Sequence, residues 1–171
     1  MAEVRLTAVR PESKARDEFA EWVEPHLPAL ARLAARLAPD GDRDDVLQEA
    51  LTRAWKKRHT FDPGRGTPLT WLLAITADQA RRARRRRPPL ALVTTRSPVR
   101  SLDERLDLEA AVARLPQRQR LAVDCFYFVG LSVAETAAVM ACAEGTVKST
   151  LSDARARLGA ILEGGPNAGR R

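Results

Sequence analysis

Residues 131–158 read LSVAETAAVMACAEGTVKSTLSDARARL and predict two helices joined by a short turn. Ser132 followed three positions later by Glu135 is a capping box, which starts the first helix. The second helix is expected to begin near Glu144. Its inner face is apolar at spacings of four, three and four: Val147, Leu151, Ala154 and Leu158. Its outer face is cationic or hydroxylated: Lys148, Ser149, Ser152 and Arg155. This pattern is typical of a DNA-reading helix-turn-helix, and an ordinary helical hairpin is the alternative that spacing alone leaves open.

Three further helices are predicted upstream, where apolar residues recur at helical spacing. They cover residues 27–37, 46–55 and 69–83. The last two are separated by a loop from Phe61 to Pro68 that consists of turn-forming residues. Short β-favouring runs such as residues 92–95 are too isolated to build a sheet. The sequence therefore predicts an all-α protein.

Proline and glycine residues divide the chain into two small helical domains. The Pro88-Pro89 pair would end any helix that runs through the preceding arginines, and residues 88–101 show no helical period. We therefore expect domains at 13–87 and 102–163, a flexible linker at 88–101 and a disordered tail at 164–171.

The excess positive charge is confined to the middle of the chain. The protein has 171 residues and a net charge of +7. Residues 51–100 hold 13 Lys or Arg against 2 Asp or Glu, whereas residues 1–50 hold 7 against 11. Six arginines fall within residues 81–87, where their repulsion favours a counterion such as nucleic-acid phosphate. A solvated helix face is the alternative. The acidic N-terminal third predicts a second surface that meets a basic or polar protein.

Composition and motifs argue against several function classes. No apolar run approaches the roughly 18 residues of a membrane span, and residues 1–10 lack a signal-peptide core, so no membrane insertion is expected. Cys125 and Cys142 are too few for a zinc site, and Cys125 is expected to be buried in its apolar run. No phosphate-binding loop, metal-spaced cluster or nucleophile motif occurs. We therefore predict that the protein is not an enzyme and has no metal, no cofactor and no small-molecule substrate.

The motifs of both domains, taken in order, resemble the extracytoplasmic-function (ECF) sigma factors of bacterial RNA polymerase. In the second domain the resemblance rests on LPQRQR at 115–120, LSVAETA at 131–137 and EGTVKS at 144–149. In the first domain it rests on DDVLQEA at 44–50 with Trp55, FDPGRG at 61–66 and WLLAI at 71–75. A helix-turn-helix regulator that binds duplex DNA by itself is a competing hypothesis. Against it, nothing in the sequence resembles a ligand-binding or phosphoacceptor domain.

The resemblance implies that residues 13–87 are sigma region 2 and that residues 102–163 are the helix-turn-helix of region 4. Such a protein binds core RNA polymerase in the cytoplasm and directs promoter-specific transcription initiation by recognising the −10 and −35 elements of promoter DNA. The implied polymerase contacts are Asp45, Gln48, Glu49 and Arg53. The implied −10 contacts are Arg65, Gly66, Thr67, Asp78, Arg81, Arg82, Arg84 and Arg85. The implied −35 contacts are Glu144, Thr146, Lys148, Ser149, Ser152 and Arg155.

The sequence departs from the family pattern at positions that bear on DNA recognition. Asp78 stands where the family commonly has Asn, and a carboxylate only accepts hydrogen bonds. Ala141 and Thr150 stand where the family often has Gly and Arg, so we expect Thr150 to remove a phosphate-contacting cation. Many relatives are held by an anti-sigma factor. Whether one binds this chain, and whether the two domains touch, the sequence leaves open.

Overall fold

The structure is a computed structural model that describes residues 11–38, 42–86 and 103–163. These residues form eight α-helices and short helical turns, and they contain no strand. The prediction of an all-α protein with two helical units is therefore confirmed. The linker expected at 88–101 and the tail expected at 164–171 lie outside the described residues.

The N-terminal half, residues 11–86, contains four helices. They are α1 at Pro11–Val23, α2 at Leu27–Leu37, α3 at Arg43–Lys57 and α4 at Pro68–Arg86. The helices α2, α3 and α4 were predicted from apolar periodicity. That signal did not reveal α1, because its apolar contacts are concentrated near its end at Phe19, Trp22 and Val23.

The core of this half lies between α2, α3 and α4. Leu33 of α2 and Leu73 of α4 have no exposed surface, and each represents about 1.5–3 kcal/mol of burial free energy. On α3 the inward positions are small, with Ala50 and Ala54 almost fully buried. These small side chains let α3 lie close against α4. The opposite face of α3, which does not contact the core, carries polar residues.

The C-terminal half, residues 103–163, contains the other four helices. They are α5 at Asp103–Ala113, α6 at Gln117–Val123, α7 at Val133–Met140 and α8 at Glu144–Glu163. A π-helical turn at Asp124–Val129 follows α6 directly. The sequence did not predict this turn. A π-helical turn is wider than an α-helical turn. Within it, Asp124 and Cys125 are completely buried.

The predicted helix-turn-helix is present as α7 and α8. Glu135 donates its backbone N–H to the Ser132 hydroxyl (3.1 Å), and the Ser132 backbone N–H is bound by the Glu135 carboxylate (2.8 Å), so the capping box is confirmed. After α7, Ala141 adopts a left-handed conformation at φ 51°. The Cys142 N–H then donates to the Ala137 carbonyl (3.0 Å), and both residues pack in the same apolar cluster. This is a Schellman cap, which sets the angle between the two helices.

The two halves share a hydrophobic core. Cys125, Leu131 and Val139 of the C-terminal half belong to the same buried cluster as the α2 and α4 core residues. Helix α7 packs on α4, and the π-helical turn packs on α2. The structure thus answers a question that the sequence left open: the two halves touch.

A buried ion pair lies at this junction. The Arg36 Nε of α2 donates to the Asp124 carboxylate, and the Arg36 guanidinium stacks 3.3 Å from the Phe128 ring centroid. The Asp124 side chain is fully buried, and its Oδ2 has no hydrogen-bond partner among the described residues. Burial raises the pKa of the Asp124 carboxyl above its usual value, and the hydrogen bond and charge of Arg36 oppose that shift.

Burial also determines the protonation state of the Cys125 thiol. It raises the pKa of the Cys125 thiol to about 12, with a smaller contribution from the adjacent Asp124 carboxylate. The thiol is therefore protonated at neutral pH and behaves as a small apolar side chain, which confirms the expectation from sequence.

We expect Ala141→Gly to stabilise the protein by about 0.5–1 kcal/mol, because relief of left-handed strain outweighs the added entropy of the unfolded chain. The matched control is Ala138→Gly at an exposed right-handed position of α7, which should cost about 1 kcal/mol. Urea denaturation measures both. Equal destabilisation by the two changes would contradict the assigned cap.

Arg36→Met should open the junction between the halves, because it leaves the buried Asp124 carboxylate without its partner at a cost of about 3–5 kcal/mol. Separation of the halves returns that carboxylate to water. The radius of gyration from small-angle scattering should therefore increase. The double variant Arg36→Met/Asp124→Leu, which buries no charge, should remain as compact as the wild type. An unchanged radius in Arg36→Met would show that the pair does not hold the halves together.

Candidate nucleic-acid interface

Helix α8 presents a polar stripe away from its core. Val147 and Ala154 have no exposed surface and face inward with Leu151. On the opposite side Lys148, Ser152 and Arg155 are exposed at spacings of four and three. The predicted outer face is thus free of the junction between the halves. A stripe of this kind can meet phosphates with its cations and base edges with its hydroxyl.

Hydrogen bonds within the first turns of α8 involve some of the residues predicted to contact the −35 element. The Thr146 carbonyl accepts from the Ser149 hydroxyl (3.0 Å) and from the Thr150 hydroxyl (2.6 Å). Thr146 is half-buried, whereas Glu144 and Ser149 are exposed. Thr150 is only 9% exposed, so its side chain faces the core. The expectation that Thr150 removes a phosphate-contacting cation stays a prediction, and the Thr150 side chain itself makes no exposed contact surface.

The loop between α3 and α4 is held in shape by short-range bonds. The Asp62 carboxylate accepts the Gly64 N–H (2.9 Å), and the Thr67 hydroxyl accepts the Thr70 N–H (3.2 Å) as the cap of α4. At Gly66 a Cβ would lie 3.1 Å from the Thr70 hydroxyl oxygen, so the tight turn favours glycine. Of the predicted −10 contacts in this loop, Thr67 is used in capping and Arg65 is an exposed cation.

Aromatic side chains anchor both ends of this loop. Phe61 at the start of the loop and Trp71 just after it lie 5.7 Å apart between ring centroids. Both rings pack against Trp22 of α1, at 5.4 Å and 6.1 Å. Aromatic contacts of this kind contribute about 0.5–1.5 kcal/mol each beyond area burial, so the loop rests on a firm base. Sequence analysis missed the part played by Trp22, although aromatic residues flanking the loop were a visible signal.

The arginine run at the end of α4 does not form one face. Successive residues are rotated by about 100° around a helix. Arg81 and Arg84 consequently line a small cavity against α6, whereas Arg82 and Arg86 line a groove against α3. Arg85 is exposed and belongs to neither lining, and Arg87 lies outside the described residues.

The acidic face of α3 borders the same groove. The groove has a volume of about 250 Å3, with Asp42, Asp45 and Glu49 on one wall and the α4 arginines on the other. Gln48 is exposed beside it, and Arg53, one turn beyond Glu49, is half-buried. The structure therefore places the predicted polymerase contacts next to part of the predicted −10 surface.

Asp78 is engaged by its own helix. Its carboxylate accepts from Arg82 Nε (2.8 Å) and lies 3.3 Å from Arg81 Nη2. These two arginines offset the negative charge of Asp78, which the resemblance implies as a −10 contact.

Among the described residues, no group of three or more His, Cys, Asp or Glu side chains could hold a metal ion. None of the helices in these ranges has the length and apolarity needed to cross a membrane.

Each half of the chain matches a different known protein family. The family described as Sigma-70 region 2 matches residues 22–88, and the family described as Sigma-70, region 4 matches residues 105–158. The second match includes the capped helix-turn-helix, and the first includes the loop and the arginine run.

Curated proteins with similar sequences carry the same description. The chain is 35% identical to the ECF RNA polymerase sigma factor EcfG of Rhodopseudomonas palustris, over 80% of each chain. It is 34% identical to the ECF RNA polymerase sigma factor SigM of Mycobacterium tuberculosis, over 94% of this chain and 84% of the other. A third relative is the ECF RNA polymerase sigma-E factor of Escherichia coli, with 32% identity over 74% of this chain and 76% of the other.

Solved structures agree with the sequence comparison. The fold is similar to that of the sigma factor RpoE, solved in complex with the anti-sigma factor NepR from Bartonella quintana. The TM-score is 0.71 at 28% identity, over 86% of this chain and 98% of the other. It is also similar to CnrH in complex with the cytosolic domain of CnrY, with a TM-score of 0.68 at 28% identity over 89% and 94% of the two chains. The chain therefore belongs to the extracytoplasmic-function family of RNA polymerase sigma factors.

Proposed function

We propose that this sigma factor uses separate surfaces for the separate tasks of promoter-specific transcription initiation. The protein binds core RNA polymerase and promoter DNA. In our proposal region 2 spans residues 13–87 and docks on the polymerase, while region 4 spans residues 102–163 and binds the −35 element. The observation that carries this division is the outward stripe of α8, which stays exposed although the two halves pack together.

The −35 element would be bound by α8 in the major groove. Lys148 and Arg155 would neutralise phosphates, and Ser149 and Ser152 would contact base edges or phosphates. Glu144 and Thr146 lie at the first turn of the helix, where backbone N–H groups also favour a phosphate. Their side chains would fix where the helix begins relative to the DNA.

The −10 element would be bound by the loop and by α4. A flipped base needs a polar, shaped pocket beside a cationic surface. The capped turn at Gly66 and Thr67, with Arg65 exposed on it, supplies a loop of this kind. Arg82 and Arg85 would follow the single strand, with Asp78 orienting Arg82 through its hydrogen bond.

The closed arrangement of the two halves would have to open on the promoter. The −10 and −35 elements are separated by about 25 base pairs, on the order of 85 Å of duplex at about 3.4 Å per base pair. Halves that share one core cannot reach both elements at once. The 16 residues from 87 to 102 can extend over at most about 55 Å, and each half adds its own width, so the chain is long enough.

Polymerase docking would use the acidic face of α3. Asp45, Gln48 and Glu49 are exposed on one side of the helix, and Arg53 continues that side by one turn. We propose that the protein acts by binding energy alone, without a catalytic step, and that it works in the cytoplasm with the polymerase. The similar sigma factor RpoE, solved in complex with the anti-sigma factor NepR, supports an inhibitor of the same kind for this chain.

Run-off transcription with core polymerase tests the proposal. We expect a promoter-specific transcript from a genomic template library only when the protein is added, and no such transcript from any template would contradict it. The variant Asp45→Lys/Glu49→Lys should bind the core at least about tenfold more weakly, because like charges meet across the interface. Glu21→Lys, an exposed charge reversal on α1, is the matched control and should bind normally.

Lys148→Ala/Arg155→Ala should weaken promoter binding of the holoenzyme and reduce its salt dependence. Each lost phosphate contact lowers the slope of log affinity against log salt by about 0.9, so the pair should lower it by roughly 2. Affinities measured between about 50 and 200 mM salt give the slope. The control is Lys14→Ala/Arg16→Ala on α1, which removes two exposed cations. Equal slopes for both double variants would contradict a DNA-facing α8 stripe.

A further inference from the structure

A small cavity lies where α4 of the first half meets α6 of the second. Its apolar wall includes Leu37, Ala77 and Ala80, and its polar lining consists of Arg81, Arg84, Gln117 and Arg120. The cavity has a volume of about 20 Å3, which is room for one atom the size of a water oxygen.

Arg120 is the buried member of this lining. It is 6% exposed, and its Nε has no hydrogen-bond partner within the described part of the chain. A buried donor without a partner costs about 1–3 kcal/mol, and more when the group is charged. Because Arg120 lines the cavity, its unpaired Nε is available to a ligand that enters there.

The charges around the cavity do not balance. Four guanidinium groups approach the junction, those of Arg36, Arg81, Arg84 and Arg120, against the two carboxyl groups of Asp78 and Asp124. Asp78 is bound by Arg81 and Arg82, and Asp124 is bound by Arg36. Burial raises the pKa of the Asp124 carboxyl, and the charge of Arg84, which acts on it from a distance, opposes that rise. Among the described residues, however, neither Arg84 nor Arg120 lies within the roughly 4 Å of a direct ion pair. The remaining excess is positive and converges from two helices.

We propose that this cavity is a binding site for a phosphate group. One phosphate oxygen fits the cavity and accepts from Arg120 and the Gln117 amide. The other oxygens stay at the mouth between Arg81 and Arg84, whose forked guanidinium groups match phosphate geometry. A dianion meets this excess of cations better than a carboxylate, which carries a single charge.

A phosphate bound here joins the two halves. Arg81 and Arg84 belong to α4, whereas Gln117 and Arg120 belong to α6, so the ligand bridges them and favours the closed arrangement. It also competes with promoter phosphates for Arg81 and Arg84. This competition rests on the proposed function, with Arg81 and Arg84 as −10 contacts as the family resemblance implies, whereas the site itself does not.

Thermal unfolding of the full chain tests the site, with inorganic phosphate as the probe and chloride at equal ionic strength as the reference. We expect a saturable rise in Tm with phosphate, and an apparent Kd that is at least about tenfold weaker in Arg120→Gln, since a charged hydrogen bond is lost. Arg118→Gln removes an exposed cation from the same helix and should retain the wild-type Kd. General stabilisation by excluded phosphate is shared by both variants and cancels between them.

A second variant guards against a folding defect. Arg84→Gln replaces an exposed side chain at the mouth of the cavity and should also weaken phosphate binding without loss of helical content. A phosphate response that survives in both Arg120→Gln and Arg84→Gln, or one that chloride reproduces in the wild type, would overturn the proposal.

An oligonucleotide arm identifies the source of the phosphate. A short single strand without terminal phosphates offers only phosphodiesters. If it raises Tm through Arg120 and inorganic phosphate does not, the dianion site is wrong and a DNA strand occupies the junction. If inorganic phosphate acts through Arg120, the ligand is a free phosphate or phosphomonoester. Run-off transcription by the wild type is independent of either result, so a failure here is distinct from a failure of the proposed function.

Discussion

The buried ion pair between Arg36 and Asp124 determines how the two halves of the protein meet. A carboxylate with no exposed surface requires a counterion, and Arg36 supplies it from a helix 88 residues away in sequence. Buried ion pairs add little net stability, because desolvation offsets most of the attraction. Their effect is on specificity: any displacement that separates Arg36 from Asp124 leaves a charge in an apolar site. The junction is therefore expected to be closed or open, with few states between.

This all-or-none junction matters because it controls the surfaces on α4. In the closed arrangement Arg81 and Arg84 face the C-terminal half, whereas Arg82 faces α3 and Arg85 faces solvent. The side chains of one basic segment thus face three different surroundings. The helical rotation of about 100° per residue distributes neighbouring side chains around the axis. Opening the junction would release the first two arginines for DNA, and a phosphate at the junction would retain them.

The internal geometry of the helix-turn-helix does not depend on whether the junction is closed or open, although α7 packs on α4 in the closed arrangement. Its geometry follows from short-range bonds, with the capping box at Ser132 and the left-handed residue Ala141 between the helices. Its own apolar cluster, which includes Val147 and Leu151, lies within the C-terminal half. Because these contacts do not involve the N-terminal half, α8 can keep its outward stripe in the closed and the open arrangement alike.

Local pattern in the sequence was sufficient for the helices α2, α3, α4, α7 and α8, for the capping box and for the exposed residues of α8. Each of these depends on side chains a few positions apart, where helical periodicity and hydrogen-bonding chemistry are directly visible. The candidate site was predicted less completely. The arginine run was expected to form one cationic surface and is divided between two sides of α4.

Only the tertiary structure decided the π-helical turn, the contact between the halves and the pairing of Arg36 with Asp124. These features depend on which distant elements come together, and a charged residue has the same local signature whether it faces water or a partner far along the chain. The sequence determined which of these segments form helices and which face of each helix is apolar. Packing in three dimensions determined which arginines face solvent, because burial depends on neighbours that local periodicity cannot identify.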